Sequence, residues 1–479
     1  MGSVRSSVVV SSISSLLSRL ISFLSVITVA RLLTPEEIGV YVIAASLMML
    51  ASQLSTLGTN NYLIREKNLT TEKQQSCLAL SIMISWGMGL LTVFASPFIS
   101  DFYDLEALTT LILILSLAYF VNPFTSLTTA MHSKQFLYGK YMAIEITGSA
   151  VSLLTTVVFI MLDYGFYSMA IGEACSAVCK LVLAFFLKTS DTSWKPRIFN
   201  LKPILSVGIY TSCINMLGRM EFNIADLILG RISNTTTVAM TSRALGLHVF
   251  VRDVLGNGIA QVATPYLAVN ASDKTLLKKS FLFSNNLAAA FVAPPLAVAA
   301  VIAEPLINLF FGEQWEAAAV TAQILGFWIV IRSLVGFSNQ ALIIAHEERR
   351  LLIAKCFTLF TLCLSIFICV DIFNINVGIA FITYAVIDLC VCLFLLRSAF
   401  GLTLIEFVAS ITKTLFLILM CTASSLLLYR FLSNISSPLL LIVAIGSMML
   451  PIWLTGLFIL KHALWSQLSG LPILSKLVR

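Results

Sequence analysis

The chain has 479 residues, a formal net charge of +7 and a mean hydropathy of +0.96. Hydrophobic residues make up 58% of it and charged residues only 11%, a composition that excludes a soluble globular protein. Its apolar runs are continuous and too long for alternating strands, which excludes a membrane β-barrel. We therefore predict an all-α polytopic membrane protein.

Spans of about 20 apolar residues can be placed at fourteen positions along the chain. They lie near residues 8–33, 38–59, 77–99, 105–129, 139–162, 164–187, 203–230, 236–266, 279–302, 317–345, 351–371, 375–396, 408–431 and 437–460. The first span leads directly into the second and has no small-residue cleavage site, so we interpret it as a retained helix rather than a signal peptide.

The loops between these spans differ in charge from one side to the other. The basic side includes Lys73, Lys140, Lys195, Lys355 and Lys461. The other side is mainly acidic and includes Asp101, Glu106, Asp163 and Glu313. Cytoplasmic loops carry the excess of lysine and arginine. We therefore expect both termini and the loop at residues 188–202 to be cytoplasmic, and we expect no nucleic-acid partner despite the positive net charge.

Span 1 carries a charged residue, Arg19, near its centre. Ser15, Arg19 and Ser22 share one helical face. An uncompensated charge at the centre of a bilayer costs about 2.5–3.5 kcal/mol on the insertion scale, so this face needs a partner helix, water or a ligand. The following residues, Thr34 to Glu37, predict the start of span 2 through a capping threonine, a first-turn proline and a capping-box glutamate.

Spans 5 and 6 contain Glu145, Glu173 and Lys180. Glu173 and Lys180 share a face but lie two turns apart, which is too far for direct pairing. We expect each of them to find a partner on another helix or in an aqueous lumen.

An offset of 200 residues relates two parts of the chain. It separates Arg19 from Arg219, and the segment 30–32 (Ala-Arg-Leu) from the segment 230–232 (Gly-Arg-Ile). Such an offset indicates a duplicated helical bundle. We predict six-helix bundles at residues 1–190 and 201–397, divided by the polar loop, and an additional helix pair at residues 405–465.

Spans 7 and 8 carry the most intramembrane charge. One polar stripe on span 7 consists of Asn215, Arg219, Asn223 and Asp226. On span 8, Thr241, His248 and Arg252 share one face, while Arg243 and Asp253 lie on another. Two such stripes predict a wet polar chamber inside the bundle. The alternative is that the charges only neutralise those of neighbouring helices.

The remaining spans add two intramembrane charges, Arg332 in span 10 and Asp388 in span 12. Pro265 is predicted to end span 8. Spans 13 and 14 are nearly uncharged and are expected to form the added pair.

Four segments of the chain, taken in order, carry a family resemblance. They are residues 30–41 (Ala-Arg-Leu-Leu-Thr-Pro-Glu-Glu-Ile-Gly-Val-Tyr), 223–231 (Asn-Ile-Ala-Asp-Leu-Ile-Leu-Gly-Arg), 262–266 (Val-Ala-Thr-Pro-Tyr) and 311–319 (Phe-Gly-Glu-Gln-Trp-Glu-Ala-Ala-Ala). Together they resemble bacterial polysaccharide transporters, the Wzx-type flippases of lipid-linked oligosaccharides within the multidrug/oligosaccharidyl-lipid/polysaccharide (MOP) superfamily.

The resemblance implies two pseudo-symmetric six-helix bundles, as in MATE and MurJ proteins, with two extra C-terminal helices and alternating access. It implies that a polyprenyl-pyrophosphate-linked oligosaccharide moves between the leaflets of the bacterial cytoplasmic membrane for surface polysaccharide assembly. No cofactor is implied, although many relatives are driven by a sodium or proton gradient. We expect a monomer whose partners are the lipid-linked substrate, the bilayer, a polysaccharide polymerase and glycosyltransferases.

A lipid pyrophosphate is an anion that arginine binds well, since the guanidinium keeps its charge and presents a fork of donors. The expected substrate-binding residues are Arg19, Arg219, Arg252, Arg332 and Lys180. Asp226 and Asp388 are the expected ion-coupling residues.

Three other functions compete with a flippase. A MATE-like cation-coupled antiporter would require an acidic cavity, which Asp226 and Asp388 would supply, but the arginines argue against it. A membrane-embedded polysaccharide polymerase would be an enzyme, and the short external loops leave no room for a folded catalytic segment. A membrane scaffold would not require so many buried charges. We therefore expect a transporter and not an enzyme.

Overall fold

The computed structural model describes residues 4–55, 59–66, 68–199, 201, 209–432, 434–435 and 437–469. Within these ranges the regular elements are all helical. The helices of the first half are α1 (Val4–Leu32), α2 (Pro35–Ser55), α3 (Thr59–Arg65), α4 (Thr71–Tyr103), α5 (Ala107–Lys134), α6 (Tyr138–Met161), α7 (Tyr167–Leu187), α8 (Ile209–Ile232) and α9 (Thr235–Val269). Those that follow are α10 (Lys274–Val301), α11 (Ala303–Phe310), α12 (Ala318–Ser333), α13 (Ser338–Ile344), α14 (Glu348–Ile366), α15 (Val377–Phe400), α16 (Leu404–Phe431), α17 (Pro438–Ile459) and α18 (Ala463–Ser469).

The all-α membrane architecture predicted from the sequence is confirmed. Among the described residues, eleven helices are long and apolar enough to cross a membrane, with α12 and α13 counted together as one. The other three predicted spans coincide with α1, α8 and α9, which are long helices but are not among these eleven. The number fourteen therefore stays a prediction.

Large apolar side chains cover the outside of the helices. Phe98 is 76% exposed, Phe186 74% and Phe431 82%. Soluble proteins rarely leave such a surface uncovered, because apolar surface in water is unfavourable. A surface of this kind suits a chain surrounded by lipid.

The chain divides into two compact units, Met1–Ala239 and Met240–Arg479. The first unit contains α1 to α8 and the first turn of α9. Its helix α8 packs against α2 and α4. The predicted bundles at residues 1–190 and 201–397, with the extra pair at 405–465, rest on the internal repeat and not on these contacts, and they stay a prediction.

The helix bounds follow the 200-residue offset. Helix α1 ends at Leu32 and α8 at Ile232, while α2 begins at Pro35 and α9 at Thr235. The predicted capping box of α2 is present: the Thr34 backbone N–H donates to Glu37 Oε2 at 2.9 Å, and the Glu37 N–H donates to Thr34 Oγ1 at 3.3 Å. At the start of α9, the side chain of Asn234 accepts from the Thr237 N–H at 2.7 Å. Each helix start thus has its own capping residue.

Two glycines allow helices of the first unit to pack closely. A Cβ atom on Gly39 would lie 1.9 Å from the carbonyl oxygen of Thr235, so α2 touches the first turn of α9 without an intervening side chain. A Cβ atom on Gly172 would lie 2.1 Å from Thr156 Oγ1, where α7 packs along α6. Side chains of ordinary size do not fit at either crossing.

The linker between the predicted halves is packed onto the first unit. The indole N–H of Trp194 donates to Thr128 Oγ1 at 3.1 Å, and the Ser193 backbone N–H donates to Gln74 Oε1 at 3.4 Å. The ammonium group of Lys188 lies 5.3 Å from the centre of the Trp194 ring. This segment is therefore fixed across the ends of α4, α5 and α7.

In the second unit, α10 packs against both α12 and α16. Lys278 of α10 forms an ion pair of 2.7 Å with Glu406, which also belongs to the capping box of α16. The indole N–H of Trp453 in α17 donates to the Ala290 carbonyl at 3.1 Å. The two last long helices are thus fixed to α10. The prediction that Pro265 ends a helix is wrong, because α9 continues through it to Val269.

Candidate functional site

A break in one predicted span lies at the centre of the candidate site. Helix α12 ends at Ser333 and α13 begins at Ser338, and the four residues between them form tight turns. The buried side chain of Asn285 bridges the break: its Nδ2 donates to the Leu334 carbonyl at 2.5 Å, and its Oδ1 accepts from the Phe337 N–H at 3.3 Å. One amide therefore satisfies both a carbonyl and an N–H that the break releases. Interrupted helices of this kind mark binding sites in many transporters.

A cavity of about 290 Å³ opens beside this break. Helices α9, α10, α12, α13, α14 and α15 and the turn residues 335–337 contribute to its wall. The charged residues among its lining are Arg252, Asp253, Arg332, Lys355 and Asp388. Three of the predicted site residues, Arg252, Arg332 and Asp388, are thus brought together.

Asp388 lies at the wall of this cavity between two cations. Its Oδ1 is 3.0 Å from Lys355 Nζ, and its Oδ2 is 3.8 Å from an Arg332 guanidinium nitrogen. That guanidinium also donates to the Tyr384 hydroxyl at 3.0 Å. Lys355 and Asp388 are almost fully buried. A buried charge requires a partner, so this trio holds Arg332 in place at the cavity edge.

Arg252 pairs with its neighbour in sequence. Its Nε and one terminal nitrogen donate to Asp253 Oδ1 at 3.0 and 2.7 Å, and both side chains are one-third exposed. The helical pattern places these two residues on different faces, but the long arginine side chain bends back to its neighbour. The second unit therefore has a polar chamber in which its carboxylates are already paired with cations.

Lys180 and the carboxylates of α6 and α7 lie in the first unit. Lys180 Nζ donates to Glu145 Oε2 at 2.8 Å, and Glu173 accepts from Ser152 Oγ at 3.0 Å. The expectation that each would find a partner on another helix is confirmed. Lys180 and Glu145 are each about one-third exposed, so their pair remains open to a ligand or water.

Asp226 is buried between α8 and α2, where its Oδ2 accepts from Ser46 Oγ at 2.8 Å. Arg219, two turns earlier on α8, is exposed. Arg19 lies on α1 and is half-buried. Substrate binding by Arg19, Arg219 and Lys180, and ion coupling by Asp226 and Asp388, stay predictions.

The fourth signature segment forms a compact turn after α11. Gly312 has a φ of +101°, a conformation that favours glycine. The turn buries Trp315 completely, and the Arg243 guanidinium lies 5.8 Å from the centre of its ring. This contact is a cation–π interaction that fixes the segment to α9.

Sequence reasoning missed Lys355 and Tyr384 as parts of the cavity. It counted Lys355 among the loop cations, although this residue lies inside the span predicted at residues 351–371. Helix α14 begins at Glu348, which places Lys355 two turns inside it. Assigning Lys355 to the span would have marked it as an intramembrane charge that requires a partner.

Comparison with protein families gives one match that covers more than half of the chain. The model of a family described as "Polysaccharide biosynthesis protein" matches residues 28–320. Among similar proteins, an uncharacterized membrane protein in the cps region of Klebsiella pneumoniae is 22% identical over 406 residues, which are 84% of either chain. The Escherichia coli lipopolysaccharide biosynthesis protein WzxC is 23% identical over 315 residues, which are 64% of this chain and 62% of WzxC.

Comparison with solved structures finds a similar fold. The lipid II flippase MurJ, in an inward closed conformation, superposes with a TM-score of 0.71 over 96% of this chain and 99% of MurJ, at 13% identity. The MurJ-like fold expected from the sequence is therefore confirmed.

Proposed function

The chain belongs to the polysaccharide biosynthesis protein family, and from this membership we propose that it translocates a polyprenyl-pyrophosphate-linked oligosaccharide from the cytoplasmic to the periplasmic leaflet of the bacterial inner membrane. The name of WzxC places that relative in lipopolysaccharide biosynthesis, and MurJ is named as a flippase of a lipid. Both names support a role in moving a lipid-linked sugar toward a surface polymer.

The observation that carries the proposal is the cavity beside the helix break. It combines two arginines, Arg252 and Arg332, with unwound backbone inside an apolar helical unit. Such a site suits the polar, sugar-bearing headgroup of a lipid whose tail stays in the bilayer. Arg19, Arg219 and Lys180 are the proposed anion-binding residues of the first unit.

A MATE-like antiporter is less well supported. Cationic substrates require accessible carboxylates, whereas Asp253 and Asp388 are each paired with a cation of the chain itself. We further propose that transport is coupled to a sodium or proton gradient and that the protein is a monomer with both termini in the cytoplasm. A polysaccharide polymerase and glycosyltransferases are its proposed protein partners.

The test is a reconstitution of the full chain in vesicles that contain a polyprenyl-pyrophosphate-linked oligosaccharide labelled on its sugar. An impermeant reagent that destroys exposed label measures how fast the inner pool becomes accessible. We expect rapid loss of the whole label with the wild-type protein, slow loss with Arg332→Ala, and loss of only the outer pool without protein. Equal rates with and without the protein would exclude the proposed function.

A further inference from the structure

The second-unit cavity is small for the substrate class proposed above. Its volume of about 290 Å³ lies at the lower end of the range of about 300–1,000 Å³ that is typical of small-molecule pockets. A cavity of this volume holds about one sugar ring, so the remaining rings and the pyrophosphate of a larger substrate would lie outside it.

The charge of the lining limits which group that is. Three cations, Arg252, Arg332 and Lys355, face two carboxylates, Asp253 and Asp388, which leaves a net charge of +1. Each carboxylate already holds at least one of the cations in an ion pair. A pyrophosphate diester carries two negative charges, whereas a sugar ring is neutral or carries one carboxylate. The cavity is therefore closer in charge to a sugar than to the pyrophosphate.

Two amides supply the hydrogen bonds that a sugar requires. Asn339 and Gln340 are adjacent on α13 and both line the cavity. Their side-chain oxygens are shielded from solvent, and neither amide has a hydrogen-bond partner in the part of the chain that the structure describes. This arrangement leaves the amide nitrogens as the accessible polar atoms. Each amide nitrogen offers two N–H donors and a hydroxyl oxygen accepts from such donors, so these two amides suit a polyhydroxylated ligand.

The backbone that carries the two amides is held in place at its start. They follow directly on the turn at residues 334–337, which Asn285 fixes from α10 through two hydrogen bonds. Arg332, at the other end of the turn, is fixed by Tyr384 and Asp388. Because the backbone is ordered before the ligand arrives, only the two side chains lose conformational freedom on binding.

We propose that this cavity is a sugar subsite, which binds a single neutral or singly anionic sugar ring of the substrate through Asn339 and Gln340, while the pyrophosphate is bound elsewhere in the protein. This inference rests on the proposed function for its physiological ligand. Asn339 and Gln340 are accordingly specificity-determining residues. A site that hydrogen-bonds a hydroxyl group discriminates strongly against an analogue that lacks it, because its own polar groups then stay unpaired.

The experiment uses the purified full chain and three soluble probes: a methyl glucoside, a methyl glucuronide and inorganic pyrophosphate. Binding is read from the rise in the thermal unfolding midpoint with probe concentration, since a ligand that binds the folded state stabilises it. We expect at least one of the two glycosides to bind the wild-type protein, and Asn339→Ala/Gln340→Ala to weaken that binding about tenfold or more. Asn308→Ala is the matched control, because its buried amide oxygen also has no partner among the described residues but the residue does not line the cavity.

Pyrophosphate supplies the opposing arm. Its effect on the midpoint should be the same in the double variant and in the wild-type protein. The inference is overturned if neither glycoside binds the wild-type protein, if both bind the double variant as well as the wild-type protein, or if the double variant loses only the pyrophosphate effect. Where the double variant is not recovered folded, the two single variants take its place, each with a partial loss of glycoside affinity. The binding measurement involves no lipid, so it decides the sugar subsite even if the vesicle assay finds no translocation.

Discussion

At the scale of single residues, Arg219 differs from the other predicted cations. It is exposed and has no ion pair within the described part of the chain, whereas Lys180, Arg252 and Arg332 each hold a carboxylate. A guanidinium keeps its proton, so Arg219 relies on water or on an anion. Its position, 200 residues after Arg19, makes the two arginines a natural pair to test.

We expect Arg19→Ala and Arg219→Ala each to stop labelled oligosaccharide from crossing reconstituted vesicles, because the pyrophosphate loses charge-assisted hydrogen bonds. Lysine at either position should retain part of the rate, since the charge remains and the fork is lost. Arg430→Ala, on α16, is a control outside the proposed sites. Full activity of both alanine variants at equal protein levels would exclude their role in anion binding.

Asp226 is the second residue-scale test, because it is a buried carboxylate that accepts from Ser46. Asp226→Asn keeps a hydrogen-bond acceptor for Ser46 and removes the charge. If Asp226 couples transport to an ion gradient, this variant should transport at one rate with or without a sodium or proton gradient. Ser46→Ala removes the hydrogen bond alone and should leave the gradient dependence in place. A gradient dependence that survives in Asp226→Asn would eliminate the role.

Single residues also show where sequence reasoning reaches its limit. The capping box at Thr34 and Glu37 was predictable because it depends on residues three positions apart. The arginines of the cavity were recognised because charge is rare in a membrane span. Their partners were not, since the Lys355–Asp388 and Lys180–Glu145 pairs join separate helices whose relative rotation a single sequence does not reveal.

At the scale of helices, the break between α12 and α13 gives a stability test. Asn285→Ala leaves the Leu334 carbonyl and the Phe337 N–H without their partner in a buried place, and an unsatisfied buried group costs about 1–3 kcal/mol. We therefore expect a clear fall in the thermal unfolding midpoint of the purified protein.

The adjacent Asn286 provides the matched control for that variant. Its Oδ1 accepts from Thr414 Oγ1, and Thr414 has a second partner in His462 Nε2 at 3.1 Å. Asn286→Ala should therefore lower the midpoint less than Asn285→Ala does. An equal fall of the midpoint in both variants would contradict the role of Asn285 in stabilising the break.

Helix ends were easier to predict than helix interruptions. The start of α2 has a strong local signal, and the paired ends of α1 and α8 follow the repeat. The interruption at residues 334–337 has Gly336 but no proline, and it depends on Asn285, which is about 50 residues earlier. At Pro265 the sequence predicts a helix end where the helix in fact continues. A proline inside a membrane helix is tolerated where neighbouring groups satisfy the freed carbonyl.

At the scale of the whole molecule, the distribution of cations predicts the orientation in the membrane. A variant without the ten native cysteines would carry one new cysteine, either Lys195→Cys in the linker or Asp101→Cys at the end of α4. Both positions are exposed. We expect an impermeant thiol reagent added outside intact cells, beyond a permeabilised outer membrane, to label position 101 and not position 195. The reverse pattern would invert the topology.

The contact between Gly39 and Thr235 bears on how transport is expected to respond to salt. Two backbones meet there without side chains, so no rotamers interlock at this point. Nearby, Arg231 forms an exposed ion pair of 2.9 Å with Asp104, and exposed pairs are weak and screened by salt. If the alternating-access cycle that the family resemblance implies separates these helices, we expect its rate to change with ionic strength.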